Sequence, residues 1–355
     1  MKWKPNWPET QARFREWWVG KGFLFAVSAQ AAKPLAKVRP PPTPKDLTTA
    51  WLDPVYRRQR CEYGLANAWY GGDAYPSFDT MIGPGSLGSF LGAEPVLEPT
   101  TVWYRPCITD PEHYPPIRFD PANNVWLDRH VAIIAEAAAH AKGRYAVGLP
   151  DLIENVDTLA AMRGNEETLY DLLERPAWVK EKLWEINQAF FDVFDYLTPR
   201  LGGAPGGNHF CAFSIWGPGK TAKVQCDFSC MVSVAMFREF VVPPLAAQCD
   251  WLDYSLYHLD GTNAMQHVDA LLEIPGLNAI EWTPQAGRPN GGDPCWFDFY
   301  RRIKAGGKGV QVIGVTLDQL RPLLDAVGPA GTYVITWAKD QAEGEKMLAI
   351  AEQYR

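Results

Sequence analysis

Short apolar or β-branched runs recur along the chain and alternate with amphipathic helical patterns. Each run has the length of a strand, and the segments between most of them are long enough to hold a helix. This alternation is typical of βα units that build a parallel sheet. The runs lie at residues 23–27, 145–149, 211–215, 223–226, 255–258, 279–282, 310–313 and 333–336. Eight is the strand number of a (β/α)8 TIM barrel, so the pattern predicts an α/β fold of that kind.

Helical periodicity fills much of the space between the runs. The predicted helices span residues 128–142, 166–173, 177–197, 317–327 and 341–354. Gly143 suits the C′ position of the first helix, and Thr316 suits the N-cap of the fourth. We expect the last helix to pack against the outside of the barrel.

Residues 28–125 interrupt this rhythm with clusters of proline, glycine and aromatic residues. We interpret the segment as an N-terminal extension packed over the barrel mouth. A separate small domain is less favoured, because the segment has little continuous apolar periodicity of its own. The sequence therefore predicts one domain over residues 1–355, with the extension and the first strand in 1–125 and the main βα repeats in 126–355.

One predicted strand ends in a histidine and an aspartate. His258 and Asp260 are two residues apart just before Gly261, so they project from the same face of a strand. The active-site residues of barrel enzymes lie at the carboxyl ends of the strands. His258 and Asp260 are therefore candidates for metal ligands or for a general acid and base. The alternative is a core histidine that hydrogen-bonds to a neighbouring strand.

Further candidates end other predicted strands. Asp227 stands beside Cys226, Asp151 follows the 145–149 run, and Glu281 lies in the 279–282 run. Each has a structural alternative: the aspartates and the glutamate as helix caps or ion-pair partners, and the cysteine as a packing residue. The functional hypothesis is that they converge on His258, with Asp227 favoured over Cys226.

Composition narrows the class of protein. The formal net charge is -7 and the sequence pI is near 5.5, so the clustered basic face of a nucleic-acid-binding protein is not expected. The N-terminus has no apolar signal region, and no stretch approaches the length of a membrane span. Seven cysteines are an odd number spread over a large chain, which favours reduced thiols. We expect a soluble, cytoplasmic protein.

Aromatic residues are abundant, with 15 Trp, 14 Tyr and 16 Phe. Most of these rings should fill the core, but rings near strand ends or Gly/Pro loops could contact a ligand. Trp216, Trp282 and Trp337 are the candidates for substrate contacts, and Lys220 in a Gly/Pro loop is a candidate for an anionic substrate.

Several segments, in this order, resemble those of the uroporphyrinogen decarboxylase superfamily. The resemblance starts near residue 75 and rests on Pro150-Asp151 and on residues 155–164, 224–229, 257–261 and 279–282. The segment Tyr257-His258-Leu259-Asp260-Gly261 is similar to the "H-x-D-G" or "H-x-C-G" block of that superfamily. The resemblance implies a TIM barrel.

The chain departs from the heme-pathway decarboxylases at both ends. The first strand continues as residues 26–31 without the arginines that bind substrate carboxylates there, and residues 332–337 lack the histidine of the C-terminal "H-G" turn. The chain is more similar to the corrinoid-dependent methyltransferases, whose zinc site combines His-x-Cys with a distant cysteine. Asp260 replaces the first cysteine here, so the resemblance implies a harder, oxygen-rich ligand set of His258, Asp260, Glu281 and Cys226.

Three functions remain open on these grounds. The favoured one is a methyltransferase that moves a methyl group between a small methoxylated or methylated substrate and a corrinoid carried on another protein, with assistance from zinc. The alternative is a metal-independent decarboxylase or lyase for a small carboxylate or sugar-like substrate, in which His258 and Asp260 transfer protons. The third is a non-catalytic binding protein. The family resemblance also suggests a homodimer.

Overall fold

The computed structural model describes residues 1–202 and 206–355, and its strands follow the predicted alternation with helices. The strands are Leu24–Gln30 (β1), Ala68–Gly72 (β2), Ser77–Phe78 (β3), Glu94–Leu97 (β4), Val102–Arg105 (β5), Ala146–Val147 (β6), Asn208–Phe210 (β7), Ile215–Gly217 (β8), Thr221–Gln225 (β9), Tyr254–Asp260 (β10), Ala279–Thr283 (β11), Gly309–Ile313 (β12) and Thr332–Trp337 (β13).

Helices precede, separate and follow these strands. They are Trp7–Trp18 (α1), Leu47–Leu52 (α2), Pro54–Asn67 (α3), Ser86–Phe90 (α4), Val125–Ala141 (α5), Asn155–Arg163 (α6), Asn165–Glu174 (α7), Pro176–Leu197 (α8), Val234–Met236 (α9), Val242–Trp251 (α10), Val268–Leu272 (α11), Phe297–Ala305 (α12), Leu317–Val327 (α13) and Gln341–Ala351 (α14). A π-helical turn at Phe237–Val241 joins α9 to α10.

The strands form an α/β barrel, as the sequence pattern predicts. In the main sheet, β9, β10, β11, β12, β13 and β1 are parallel neighbours in that order, and β2 adds an antiparallel edge to β1. The other side of the barrel is built from the parallel pair β3 and β6, with a parallel bridge from Leu149 to Phe210 of β7. All these parallel strands therefore present their carboxyl ends at one mouth.

Alternate residues of each strand belong to different cores. Leu24 and Ala26 of β1 and Leu256 of β10 face the barrel interior. Phe25 of β1 and Tyr257 of β10 pack in the larger outer cluster, against the helices. This alternation follows from the two-residue period of a strand, and it decides which strand-end residues can reach the mouth from inside.

The amino ends of the strands are covered by α1. The indole of Trp17 donates a hydrogen bond to the carbonyl oxygen of Gly331 (3.2 Å), which directly precedes β13. The indole of Trp18 donates to the carbonyl oxygen of Trp216 (2.9 Å). Pro8 in the first turn suits the start of this helix, because proline lacks the N–H that the first turn leaves unpaired.

Most predicted elements match the structure, but one strand is wrong. The predicted helix at 317–327 coincides with α13, and the other predicted strands overlap β1, β6 and β9 to β13. Residues 211–214 instead form the turn of a hairpin between β7 and β8, where Ser214 has a positive φ of 45°. The apolar side chains of this run gave a strand-like pattern because the hairpin is inserted into the barrel interior. The sequence also missed β3, which is only two residues long.

All seven cysteines lie in the described ranges and none of them is in a disulfide. Among the helices of residues 1–202 and 206–355, none is both long and apolar enough to span a bilayer.

Candidate functional site

His258 and Glu281 form the centre of the candidate site. They are directly opposite in the parallel pairing of β10 and β11, and Glu281 Oε2 is hydrogen-bonded to His258 Nδ1. The second carboxylate oxygen of Glu281 accepts a hydrogen bond from the Thr283 hydroxyl (2.8 Å). The side chain of Glu281 is fully buried, so the carboxylate that orients the His258 imidazole is inaccessible to solvent.

Burial and mutual contact together shift the pKa values of His258 and Glu281. Burial lowers the pKa of His258, but the facing Glu281 carboxylate more than offsets this, so the net pKa is raised. Burial raises the pKa of Glu281, and the neighbouring His258 opposes that shift only in part. A proton between the two groups is therefore well held. Because Nδ1 is engaged, Nε2 is the ring nitrogen left for a ligand.

Two aspartates converge on the same imidazole. Three side chains each place one potential ligand atom within 4.8 Å of the other two: Asp227, His258 and Asp260. Within residues 1–202 and 206–355, this is the group of side chains that could hold a metal ion. Asp260 ends β10 on the inward face, two residues from His258, and Asp227 follows β9, the neighbouring strand. Both carboxylates are accessible from the mouth, whereas His258 is half-buried.

This donor set suits a divalent cation. Zinc accepts imidazole nitrogen and carboxylate oxygen, and a set with two oxygens and one nitrogen also suits harder metals. Glu281 supplies the carboxylate contact to the second ring nitrogen that metal-bound histidines usually have. Glu281 was predicted as a ligand, but its contact with Nδ1 makes it a positioning residue for His258.

A third carboxylate holds Asp227 in place. Asp157 of α6 accepts hydrogen bonds from the backbone N–H groups of Asp227 and Phe228 (2.7 Å each). Gln225 Nε2 donates to Asp227 Oδ2 (2.9 Å). Burial, with a further contribution from Asp227, raises the pKa of Asp157 to about 7. The loop after β9 is thus fixed by side chains from two different elements.

A buried lysine and two acids lie deeper in the barrel. Lys223 Nζ pairs with Asp151 Oδ1 (2.5 Å) and hydrogen-bonds to the side chain of Gln225. Glu154 accepts a hydrogen bond from the backbone N–H of Gln225 (2.8 Å), and burial raises the pKa of Glu154 to about 8. Asp151 was predicted as catalytic, but in this structure its carboxylate is the counter-charge of Lys223.

Little in the sequence pattern indicates this deeper network. Lys223 and Gln225 alternate with apolar residues in β9, and this alternation was the available signal that the strand has a polar inner face. Glu154 and Asp157 lie at the start of α6, where acids ordinarily act as helix caps. Only the approach of α6 to β9 makes them part of the site.

The structure corrects the position of three other predicted site residues. Cys226 packs in the outer cluster behind β9, because it has the opposite parity to Gln225. Trp282 likewise faces outward, and its ring lies 5.2 Å from that of Phe299 in α12. Lys220 precedes β9 at the amino end of the barrel, where it pairs with Asp195 (3.0 Å).

Trp216 also lies at the amino end. It is fully buried, and its ring centroid is 5.7 Å from that of Trp7 in α1. It is therefore a core residue of the barrel floor. Trp337, at the carboxyl end of β13, is 63 % exposed and lines a separate cleft. Only Trp337 of the predicted substrate contacts is therefore at the mouth.

Asp227 borders two pockets at the mouth. One, of about 280 Å³, is largely apolar and is lined in part by Trp103, Tyr104 and Met231. The other, of about 300 Å³, is lined in part by Asp260, Thr262 and Gln285. A ligand in either pocket would meet the aspartate group. The hairpin residue Phe213 limits the site on the inner side, with its ring 4.7 Å from that of His258.

The fold of this chain is similar to that of solved protein structures. No family profile matches the sequence, and no curated protein matches it. A solved structure, a methyltransferase from Methanosarcina mazei, superposes with a TM-score of 0.61 over 98 % of this chain and 99 % of that chain, at 10 % sequence identity. At this identity the likeness establishes the shared fold.

Proposed function

We propose that this protein is a methyltransferase that moves a methyl group from a small methoxylated substrate to a corrinoid carried on another protein. The observation that carries the proposal is the convergence of Asp227, His258 and Asp260 at the barrel mouth, backed by Glu281. The full-length structural likeness to a methyltransferase supports the reaction class. The corrinoid partner is proposed from the family resemblance of the sequence.

The aspartate–histidine group would hold a divalent ion such as zinc. When bound, the ion would polarise the ether oxygen of the substrate. Glu281 would keep His258 Nε2 directed toward the ion, and Asp157 would keep the loop that carries Asp227 in place. These two contacts are the kind of supporting interactions that determine metal affinity.

The apolar pocket beside Asp227 suits the body of a methoxylated aromatic substrate. Trp103 is 66 % exposed and lines this pocket with Tyr104, so a flat ring could lie against their faces. Methyl transfer breaks the bond between the methyl carbon and the oxygen, and the acceptor supplies the electron pair of the new bond. The oxygen keeps the old pair and takes its proton from water at the open mouth, because Asp260 would be ionised as a metal ligand.

A specific observation also favours the alternative lyase function. Glu154 and Asp157 are acids whose pKa values burial raises to about 8 and about 7, so both can hold a proton near neutral pH. Groups of this kind act as general acids in metal-independent reactions. Lys223, paired with Asp151, lies in the same network.

The first function is tested by single-turnover methyl transfer from methoxylated benzoates to cob(I)alamin, followed by the absorbance change of the corrinoid. We expect transfer by the wild type and loss of transfer in His258→Ala, with a cooperative unfolding transition that shows the variant to be folded at the assay temperature. His113→Ala is the matched control, because His113 is an exposed histidine whose ion pair is with the exposed Asp110. Full activity of His258→Ala would refute the assignment of the site. Decarboxylation of a small carboxylate by metal-free protein would favour the lyase.

A further inference from the structure

A second cleft opens at the carboxyl ends of β1 and β13. It has a volume of about 510 Å³ and is bounded by α3. Its lining shares no residue with the two pockets beside Asp227. In the sheet order, β13, β12 and β11 separate β1 from β10, which carries His258. The cleft is therefore across the mouth from the site described above.

Arg57 of α3 contributes a buried positive charge to this cleft. Its side chain is 3 % exposed, and its two terminal nitrogens donate to the carbonyl oxygens of Trp51 (3.0 Å) and Asp79 (3.1 Å). No carboxylate in residues 1–202 or 206–355 forms an ion pair with Arg57. A guanidinium has five N–H donors, so two neutral acceptors leave N–H groups for other partners, and the Asp79 carboxylate acts on its charge without forming a salt bridge. A buried charge in that state is costly unless a ligand supplies the opposite charge.

Arg60 adds a second cation on the same helical face. It follows Arg57 by three residues in α3 and also lines the cleft, and, across the described ranges, no salt bridge involves it. Asp79 is the acidic residue in the lining. Its Oδ1 accepts from the backbone N–H of Met81 (2.8 Å), and burial raises its pKa against the effect of Arg57. The lining thus keeps a net positive charge.

An aromatic surface completes the cleft. Trp337, which ends β13, is 63 % exposed, and Tyr70 of β2 lies on the other side of the lining. An exposed indole next to two guanidinium groups that form no salt bridge within the described ranges suits a molecule with one flat apolar part and one anionic group.

We propose that this cleft binds a small organic anion, with its charged group at Arg57 and Arg60 and its flat part against Trp337. The ligand is distinct from the methoxylated substrate of the Asp227 site, and the inference does not depend on methyl transfer. Carboxylate and phosphate groups share the required chemistry, since both accept paired hydrogen bonds from arginine.

The proposal is tested by calorimetric titration of the full chain with benzoate, acetate and benzamide. We expect benzoate to bind at least about tenfold more tightly than acetate, which lacks the ring, and than benzamide, which lacks the charge. Arg60→Gln and Trp337→Ala should each weaken benzoate about tenfold. Arg60 and Trp337 are chosen because both are exposed, so their replacement should leave the fold intact, whereas buried Arg57 is less suitable.

Two controls make the outcome decisive. Arg129→Gln removes an exposed arginine of α5 that does not line the cleft and should leave benzoate binding unchanged. His258→Ala should also bind benzoate normally, which separates this inference from the proposed function. Equal affinity for benzoate and benzamide, equal affinity in the wild type and Arg60→Gln, or no heat from benzoate up to about 10 mM would overturn the proposal.

Discussion

Glu281 lies directly opposite His258 in the parallel pairing of β10 and β11, and its carboxylate contacts His258 Nδ1 from inside the barrel. Both residues belong to the inward-facing set of their strands, so the backbone register alone brings them together. The buried carboxylate fixes the imidazole, while Asp227 and Asp260 stay accessible at the mouth. The supporting contact is therefore separated from the groups that can meet a ligand.

Glu281→Gln should weaken metal binding without removing a ligand. The amide keeps the size of the side chain but lacks the charge that orients His258, so zinc affinity should fall about 10- to 100-fold. Competition with a chelating dye measures the change. Glu345→Gln, an exposed substitution in α14, is the control and should bind zinc as the wild type does. Equal affinities in all three proteins would contradict the positioning role.

Asp260→Ala should abolish metal binding. The wild type, purified without chelators or a metal-affinity tag, should contain about one zinc or similar divalent ion per chain, and removal of one of three ligands should bring this close to zero. Metal analysis of the purified proteins gives the answer. Asp298→Ala alters an aspartate on the exposed face of α12 and should keep the metal. A wild type without metal would favour the lyase alternative.

Glu154→Gln should change how stability depends on pH. The pKa of Glu154 is about 8 in the folded protein against 4.5 as its ordinary value, so between those pH values the folded state holds a proton that the unfolded state has released. The contribution of Glu154 to the free energy of unfolding should therefore be greatest below pH 4.5 and decrease as the pH rises toward 8.

In Glu154→Gln the free energy of unfolding should decrease less between pH 4.5 and pH 8 than in the wild type. The difference should be a few kcal/mol, since one pKa unit corresponds to about 1.4 kcal/mol. Part of the slope should remain, because Asp157 titrates in the same direction with a pKa of about 7. Urea unfolding of both proteins at about pH 5, 6, 7 and 8 measures this pH dependence of the unfolding free energy. An unchanged slope would mean that Glu154 is ionised in the folded protein.

Substitution of Trp216 should mainly lower stability, whereas substitution of Trp103 should mainly weaken substrate binding. Trp216→Ala removes a fully buried ring from the barrel floor and should cost about 3–5 kcal/mol of unfolding free energy, with little change in metal content. Trp103→Ala removes an exposed ring and should change stability by less than about 0.5 kcal/mol. It should weaken binding of a methoxylated aromatic to the apolar pocket. Chemical denaturation and a binding titration on both variants provide the comparison.

The hydrophobic periodicity of the sequence was sufficient for most of the barrel. A strand with an outer face toward helices and an inner face toward the barrel has few polar positions, so β10 to β13 are visible as short apolar runs. Helix α13 was also visible, because Thr316 caps it and its apolar residues recur at helical spacing. The 211–215 run was wrongly predicted as a strand, because a hairpin that enters the barrel is buried and therefore needs apolar residues, as a barrel strand does.

By itself, the sequence determined that His258 and Asp260 share a face at one strand end, since two-residue periodicity requires nothing beyond the strand. Only the tertiary structure decided which other residues meet them. Glu281 and Asp227 reach His258 because the sheet register and the loop after β9 bring them there, whereas Trp282 and Cys226, each adjacent in sequence to one of these two, face away. The physical reason is that a strand alternates its faces at every residue, and the end of the barrel at which a residue lies is set by packing against distant elements such as α1.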